Sequence, residues 1–322
     1  MRKYLNKEED LSQYKKIIWP EGKLFAFSIF DDTDWSTVEN VGPVYSFLKD
    51  NYIFTTKSVW PFRGDQQPYI GGDTCDNPEY LEWVKRLQKE GSEIGFHNAT
   101  FHTSTREQIL AGLKKFNQEI GHWPRSMANH AGCLDGIYWG DSRVSGLNRL
   151  IYNILSRGKG KNRYRGHVEG DPLFWGDFCK KYIMYVRNFV LGDINTLKQC
   201  SFMPYHDPSK PYVNFWFASS EGANVNSFNK MVSEANQDGL EVEGGACIMY
   251  THFSSGFYRD GHLNKRFETL MKRLAQKKGW FVPVSTLLDY LRERNGDYVI
   301  TNSQRRALER KWLLHKIQVR TT

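Results

Sequence analysis

Short apolar runs and longer amphipathic stretches alternate along this chain, and each change of period marks an expected element. In the run Lys23 to Phe30, Phe25, Phe27 and Ile29 alternate with smaller or polar neighbours, which predicts a buried strand. Ser36 to Asn51 has a helical pattern that Pro43 delays or kinks. Ile53 to Trp60 is rich in β-formers and reads as a strand. Asn77-Pro78 supplies an N-cap and a first-turn proline for a helix through Lys89, stopped by Gly91. Ser92 to Phe96 is a short strand, followed at once by His97. Ser104-Thr105-Arg106-Glu107 has the form of a capping box opening a helix to about Gly121.

The same alternation continues with a short strand at Arg125 to Ala128 and a helix over 139–156. Glycines at 158 and 160 break that pattern, and 157–212 reads as an irregular insertion. Strands follow at Val213 to Ala218 and Ala246 to Tyr250, with a helix at Asn226 to Asn236 between them. A helix over His262 to Lys278, a strand from Trp280 and a helix capped by Ser285 complete the series. Strands alternating with helices predict an α/β fold of parallel strands, with functional loops at their C-terminal ends. The expected organisation is an N-terminal extension over 1–21, one barrel domain over 22–295 and a basic amphipathic helix over 296–322.

Composition narrows the class without choosing a function. The apolar fraction of 40% and charged fraction of 25% are those of a globular protein. No apolar stretch reaches the length of a membrane span, and Met1 to Tyr14 lacks the apolar core of a signal peptide, so the expected location is the cytoplasm. Five scattered cysteines without a CxxC pair argue against a disulfide scaffold or a cysteine-rich zinc site. The net charge of +8 would favour a polyanion, an acidic membrane surface or a phosphorylated substrate, but the basic residues are spread along the whole chain and solubility alone is the readier account. No helix-turn-helix, zinc-finger or RNP pattern supports specific nucleic-acid binding.

Candidate chemistry sits at three strand ends. Asp31-Asp32 closes the first strand, and two adjacent carboxylates need a cation to absorb their repulsion. His97 ends another strand, with His102 five residues on, and His252 ends a third. Imidazole with carboxylate suits zinc or a similar first-row ion and leaves coordination positions open.

These segments resemble the polysaccharide deacetylases with a NodB-like domain, carbohydrate esterase family 4. Phe30-Asp31-Asp32 is similar to the family's first motif, Glu93 to His102 to its second, and Ile248-Met249-Tyr250-Thr251-His252-Phe253 to its last. The resemblance covers roughly residues 22 to 294. It implies a distorted (β/α) barrel in which Asp32, His97 and His102 bind a divalent metal, zinc first, with cobalt, manganese, iron or nickel as alternatives. It further implies Asp31 as general base and His252 as general acid. The implied reaction removes an acyl group, acetyl foremost, from an N-acylated sugar in surface-polysaccharide or glycoconjugate biosynthesis. The expected partner is a carbohydrate, free or linked to a nucleotide or lipid.

Several positions depart from the family pattern. Thr33 and Asp34 follow the aspartate pair in place of glycine, and Asn98 follows the first histidine in place of Ser or Thr. The two histidines are five residues apart where four is usual. The base-orienting arginine motif has no counterpart; Ser126-Met127-Ala128-Asn129-His130 stands at its place, and Asn129, His130 and Asp34 are expected as supporting residues. A non-catalytic carbohydrate-binding relative is the rival reading, and a basic nucleic-acid-binding protein the weaker one. The basic run Arg157 to Arg165 reads as a solvated turn or as a contact for a carrier phosphate. The helix at Ser303 to Lys316 reads as docked on the barrel, or as a membrane-surface or partner-binding helix.

Overall fold

The computed structural model describes residues 17–67 and 70–319, so most of the expected N-terminal extension lies outside the described residues. Seven parallel strands close on one another: β1 (Phe25–Asp31), β2 (Thr56–Val59), β3 (Glu93–Phe96), β4 (Ser126–Met127), β5 (Tyr185–Leu191), β6 (Phe215–Ser220) and β7 (Ala246–Thr251). Each pairs with the next in that order, and β7 returns to pair with β1 from Ala26↔Ala246 to Asp31↔Thr251. The closure is distorted at β1, where β2 reaches only Phe30 and Asp31. The strand Gly279–Phe281 fills the gap alongside Phe25, Ala26 and Phe27.

All seven residues of β1 are buried, because a strand inside a ring of helices is covered on both faces. Phe25, Phe27, Ile29 and Phe30 have no exposed surface, and Phe281 packs edge-on against Phe25 and Phe27. At the N-terminal end of the strands, buried Glu93 accepts hydrogen bonds from Thr56 Oγ1, Ser126 Oγ and the Ser285 amide at 2.7–2.9 Å. These bonds pin β2, β3 and β4 to the helix Val284–Asn295 and satisfy a charge that burial would otherwise penalise.

Most expected elements form, with shifts set by capping. The helix Pro78–Lys89 begins at the proline after its Asn77 cap. In the helix Arg106–Ile120 the cap is Thr105, paired reciprocally with Gln108, one residue later than the expected box. The expected 226–236 helix is two helices, Val225–Met231 and Glu234–Glu243, each with its own N-cap. The stretch read as an irregular insertion contains β5, a fully buried barrel strand. Its aromatic and turn-rich flanks hide the strand, because seven buried residues in a parallel barrel show no alternation.

Past the barrel, the helix Asn302–Val319 packs on β5 and on the helix Gly146–Leu155 through Leu308, Trp312 and Leu313. Among the described residues, no helix is long and apolar enough to cross a membrane. All five cysteines are buried and unpaired.

Candidate metal and catalytic site

The C-terminal ends of β1, β3, β4, β5 and β7 surround a cavity of ≈ 110 Å³, whose walls include Asp32, Asp34, His97, Arg143, Arg187 and His252. The chain leaves β1 through Asp31, Asp32, Thr33 and Asp34, and the three carboxylates go to three environments.

Asp31 is sealed in the barrel wall with no exposed surface. Its Oδ2 accepts from Lys57 Nζ and Tyr45 Oη, each at 2.9 Å, and its Oδ1 accepts from the Phe253 amide at 2.8 Å. The Lys57 ammonium absorbs the charge that the sequence suggested a metal would absorb. Asp31 is not among the residues lining the cavity.

Asp32 lines the cavity and is held bidentately by Arg187, with Nη1–Oδ1 at 2.8 Å and Nη2–Oδ2 at 2.5 Å. The guanidinium lies over the Tyr250 ring at 4.4 Å. Arg187 sits where β5 carries one extra residue against β6: three steps from Arg187 to Val190 face two from Phe217 to Ser219. Such a bulge turns both Arg187 and Val190 to the cavity, which regular alternation would forbid. Arg143 donates through Nη2 to the carbonyl of Asn188 inside this bulge.

Asp34 meets the histidines. Its Oδ1 lies 3.0 Å from His97 Nε2 and 3.2 Å from His130 Nδ1, and the two ring nitrogens are 3.2 Å apart. Its Oδ2 is 3.3 Å from His252 Nε2. Burial works against the Asp34 charge, yet the hydrogen bonds of His130, His252 and His97 hold the carboxyl well below its ordinary range. His252 also loses by burial and is lifted to about 9 chiefly by Asp34. Its Nδ1–H donates to the Ala223 carbonyl at 2.8 Å, leaving Nε2 aimed at the cavity side.

Asp34, His97 and His130 form a buried set of three ligand atoms suited to a metal ion. Three donors about 2.1 Å from one cation stand about 3.0 Å apart in octahedral and about 3.4 Å apart in tetrahedral geometry. The observed edges of 3.0, 3.2 and 3.2 Å lie in that interval. One carboxylate oxygen and two imidazole nitrogens are also a donor set that such ions take. The residues fit a divalent first-row ion.

This set overlaps the expected one only at His97. The His102 ring turns away: Nδ1–H donates to the Thr103 carbonyl at 2.8 Å, and Nε2 accepts from the Asp65 amide at 3.1 Å. His130 arrives through Asn98, which adopts φ 63° and accepts from the His130 amide at 3.1 Å while donating to Asp135 at 2.8 Å. The departure at Asn98 was therefore the available signal for His130, because asparagine tolerates the left-handed region that Thr avoids. Asn129 clamps the next loop, donating to the Ile137 carbonyl at 3.1 Å and accepting from its amide at 2.7 Å. Arg187 carried no sequence signal, since nothing local marks a bulge partner 155 residues from Asp32.

Arg143 adds a charge to the cavity wall that no carboxylate among the described residues pairs. It is 7% exposed, stacks over Trp139 at 3.9 Å, and its Nε has no hydrogen-bond partner among the described residues. Burial, reinforced by neighbouring Arg187, lowers it to about 10, which leaves it charged at neutral pH.

No protein-family model and no curated protein matches the chain. Solved structures do. A protein described as a polysaccharide deacetylase, from Mycobacterium smegmatis, is 12% identical with a TM-score of 0.49, covering 89% of this chain and 97% of its own. A GH57-type branching enzyme from Pyrococcus horikoshii is 12% identical with a TM-score of 0.47, covering 86% and 72%. The peptidoglycan deacetylase PdaC from Bacillus subtilis is 12% identical with a TM-score of 0.38, covering 84% and 92%. The barrel stands on its own strand pairing, and the chemistry is read from the site's own atoms.

Proposed function

We propose that this chain is a divalent-metal hydrolase that removes an acyl group, acetyl foremost, from an N-acylated sugar. The observation that carries the reading is the convergence of Asp34 Oδ1, His97 Nε2 and His130 Nδ1 beside two further titratable groups, Asp32 and His252, at one cavity. In this reading Asp34, His97 and His130 hold the ion. Zinc or a similar cation bound there would polarise the acyl carbonyl and acidify water.

The remaining roles follow from position. Asp32, fixed by Arg187, keeps oxygen lone pairs to accept the proton of the attacking water. His252 is oriented by the Ala223 carbonyl through Nδ1, so a proton on Nε2 would be placed to pass to the departing amine. Without that proton the amine leaves as an unstable anion. Arg143 offers a desolvated cation for negative charge on the substrate or on the developing oxyanion. A cavity of ≈ 110 Å³ is well below the roughly 300 Å³ of common ligand pockets, so it suits an acyl group and its amide, with the sugar outside.

The test joins metal analysis to acetate release from free, nucleotide-linked and lipid-linked N-acetylhexosamines. One metal per chain and hydrolysis that disappears in Asp32→Asn are expected. Stoichiometric metal or sugar binding without hydrolysis would instead identify a carbohydrate-binding relative, and the absence of metal from native and reconstituted protein overturns the proposal.

A further inference from the structure

The helix Gly146–Leu155 wears its apolar face outward. Leu147, Leu150, Ile151, Ile154 and Leu155 recur at i, i+3, i+4, i+7 and i+8, the stripe that a surface helix ordinarily buries. Here they are 71, 57, 36, 67 and 36% exposed. The inward face is polar or mixed: Asn148 donates to Glu309 at 2.7 Å, and Tyr152 stacks on Trp312 at 5.7 Å. The helix is thus firmly attached to the helix Asn302–Val319 while its best packing surface faces solvent.

The segment that follows is basic. Arg157, Lys159, Lys161 and Arg163 are all exposed, and none forms an ion pair with a carboxylate among the described residues. A short apolar stripe bordered by unpaired cations has the chemistry of a helix lying in a lipid headgroup layer.

We propose that the Leu147–Leu155 stripe and the 157–163 basic loop form a docking surface for an anionic phospholipid bilayer. Charge decides the occupant. A second copy meeting this face about a two-fold axis would bring the basic loops toward each other, whereas lipid phosphates neutralise them. Five side chains on one helix also fall short of the roughly 20–30 residues a side of a standard protein interface. The helix starts three residues after Arg143, which lines the cavity, so docking would bring the cavity close to the bilayer. Resting on the hydrolase reading of that cavity, this favours a sugar carried on a membrane lipid as substrate.

Co-sedimentation of the full chain with phosphatidylcholine vesicles, with and without phosphatidylglycerol, tests the surface. Binding to the anionic vesicles that weakens with added salt is expected. Leu150→Glu/Ile154→Glu should weaken it about tenfold or more with circular dichroism unchanged, because both side chains are already exposed. Lys159→Glu/Lys161→Glu should remove the preference for phosphatidylglycerol. No sedimentation of the wild type with either vesicle, or sedimentation of both double variants equal to that of the wild type, overturns the proposal. So does a wild-type dimer that Leu150→Glu/Ile154→Glu turns into a monomer without any vesicle binding. Loss of the hydrolase reading would register separately, as absent metal and absent acyl release while vesicle binding persists, and that result supports the docking surface.

Discussion

Arg187 grips Asp32 with both terminal nitrogens, at 2.8 and 2.5 Å, across 155 residues of sequence. Both partners are nearly fully buried, and Arg187 also lies over the Phe30 and Tyr250 rings. The fork fixes the carboxylate plane at the cavity wall, a constraint that a single point charge would not impose. It ties the end of β1 to the bulge of β5, so cavity shape and barrel closure share one interaction.

Arg187→Met is expected to lower the unfolding free energy by about 3–5 kcal/mol, because it leaves Asp32 buried without its counterion. Arg187→Lys should cost less, keeping the charge and losing the fork. Urea unfolding of metal-free protein measures both. A Met variant within about 1 kcal/mol of wild type would show that the buried pair only balances its own desolvation.

His130→Ala is expected to lose stoichiometric zinc, whereas His102→Ala keeps it, since both His102 ring nitrogens are engaged by Thr103 and Asp65. Elemental analysis after equilibration with one equivalent of zinc separates the two. Zinc retained by His130→Ala and lost by His102→Ala would restore the ligand set implied by sequence resemblance.

Asn98→Thr is expected to destabilise the fold by about 2–4 kcal/mol, combining a β-branched residue at φ 63° with the loss of hydrogen bonds to Asp135 and the His130 amide. Asn98→Gly removes the same bonds without the backbone strain and should cost less. Thermal unfolding of both variants checks the order, and a Thr variant more stable than the Gly variant would contradict it.

Asp207 anchors the C-terminal helix through Arg305 at 3.1 Å and is paired with Lys210 at 2.9 Å. Burial would raise its carboxyl, yet Lys210 and the Ser209 hydrogen bonds outweigh burial and hold it at about 2. A carboxyl lowered on folding stabilises fully above its unfolded value of 3.8 and loses that contribution as pH falls toward about 2. Unfolding free energies measured from pH 5 to 2 should therefore fall less steeply in Asp207→Asn than in wild type. Equal slopes would assign the acid sensitivity to other carboxylates.

How much of this was legible follows from range. The buried run ending in Asp31-Asp32, the strand before His97 and the strand before His252 were readable, because apolar runs and flanking caps are local signals. The division of labour among Asp31, Asp32 and Asp34 was not. Lys57 neutralises the first, Arg187 grips the second, and only the third meets His97 and His130.

By itself, the sequence determined an α/β barrel and the strand ends where its chemistry gathers, since hydrophobic periodicity and capping act within a few residues. Only the tertiary structure decided which carboxylate faces which cation or imidazole. That choice depends on a bulge in β5, a left-handed asparagine after His97 and a histidine beyond a two-residue strand. Each lies far along the chain from the aspartates it arranges, and barrel closure alone brings them together.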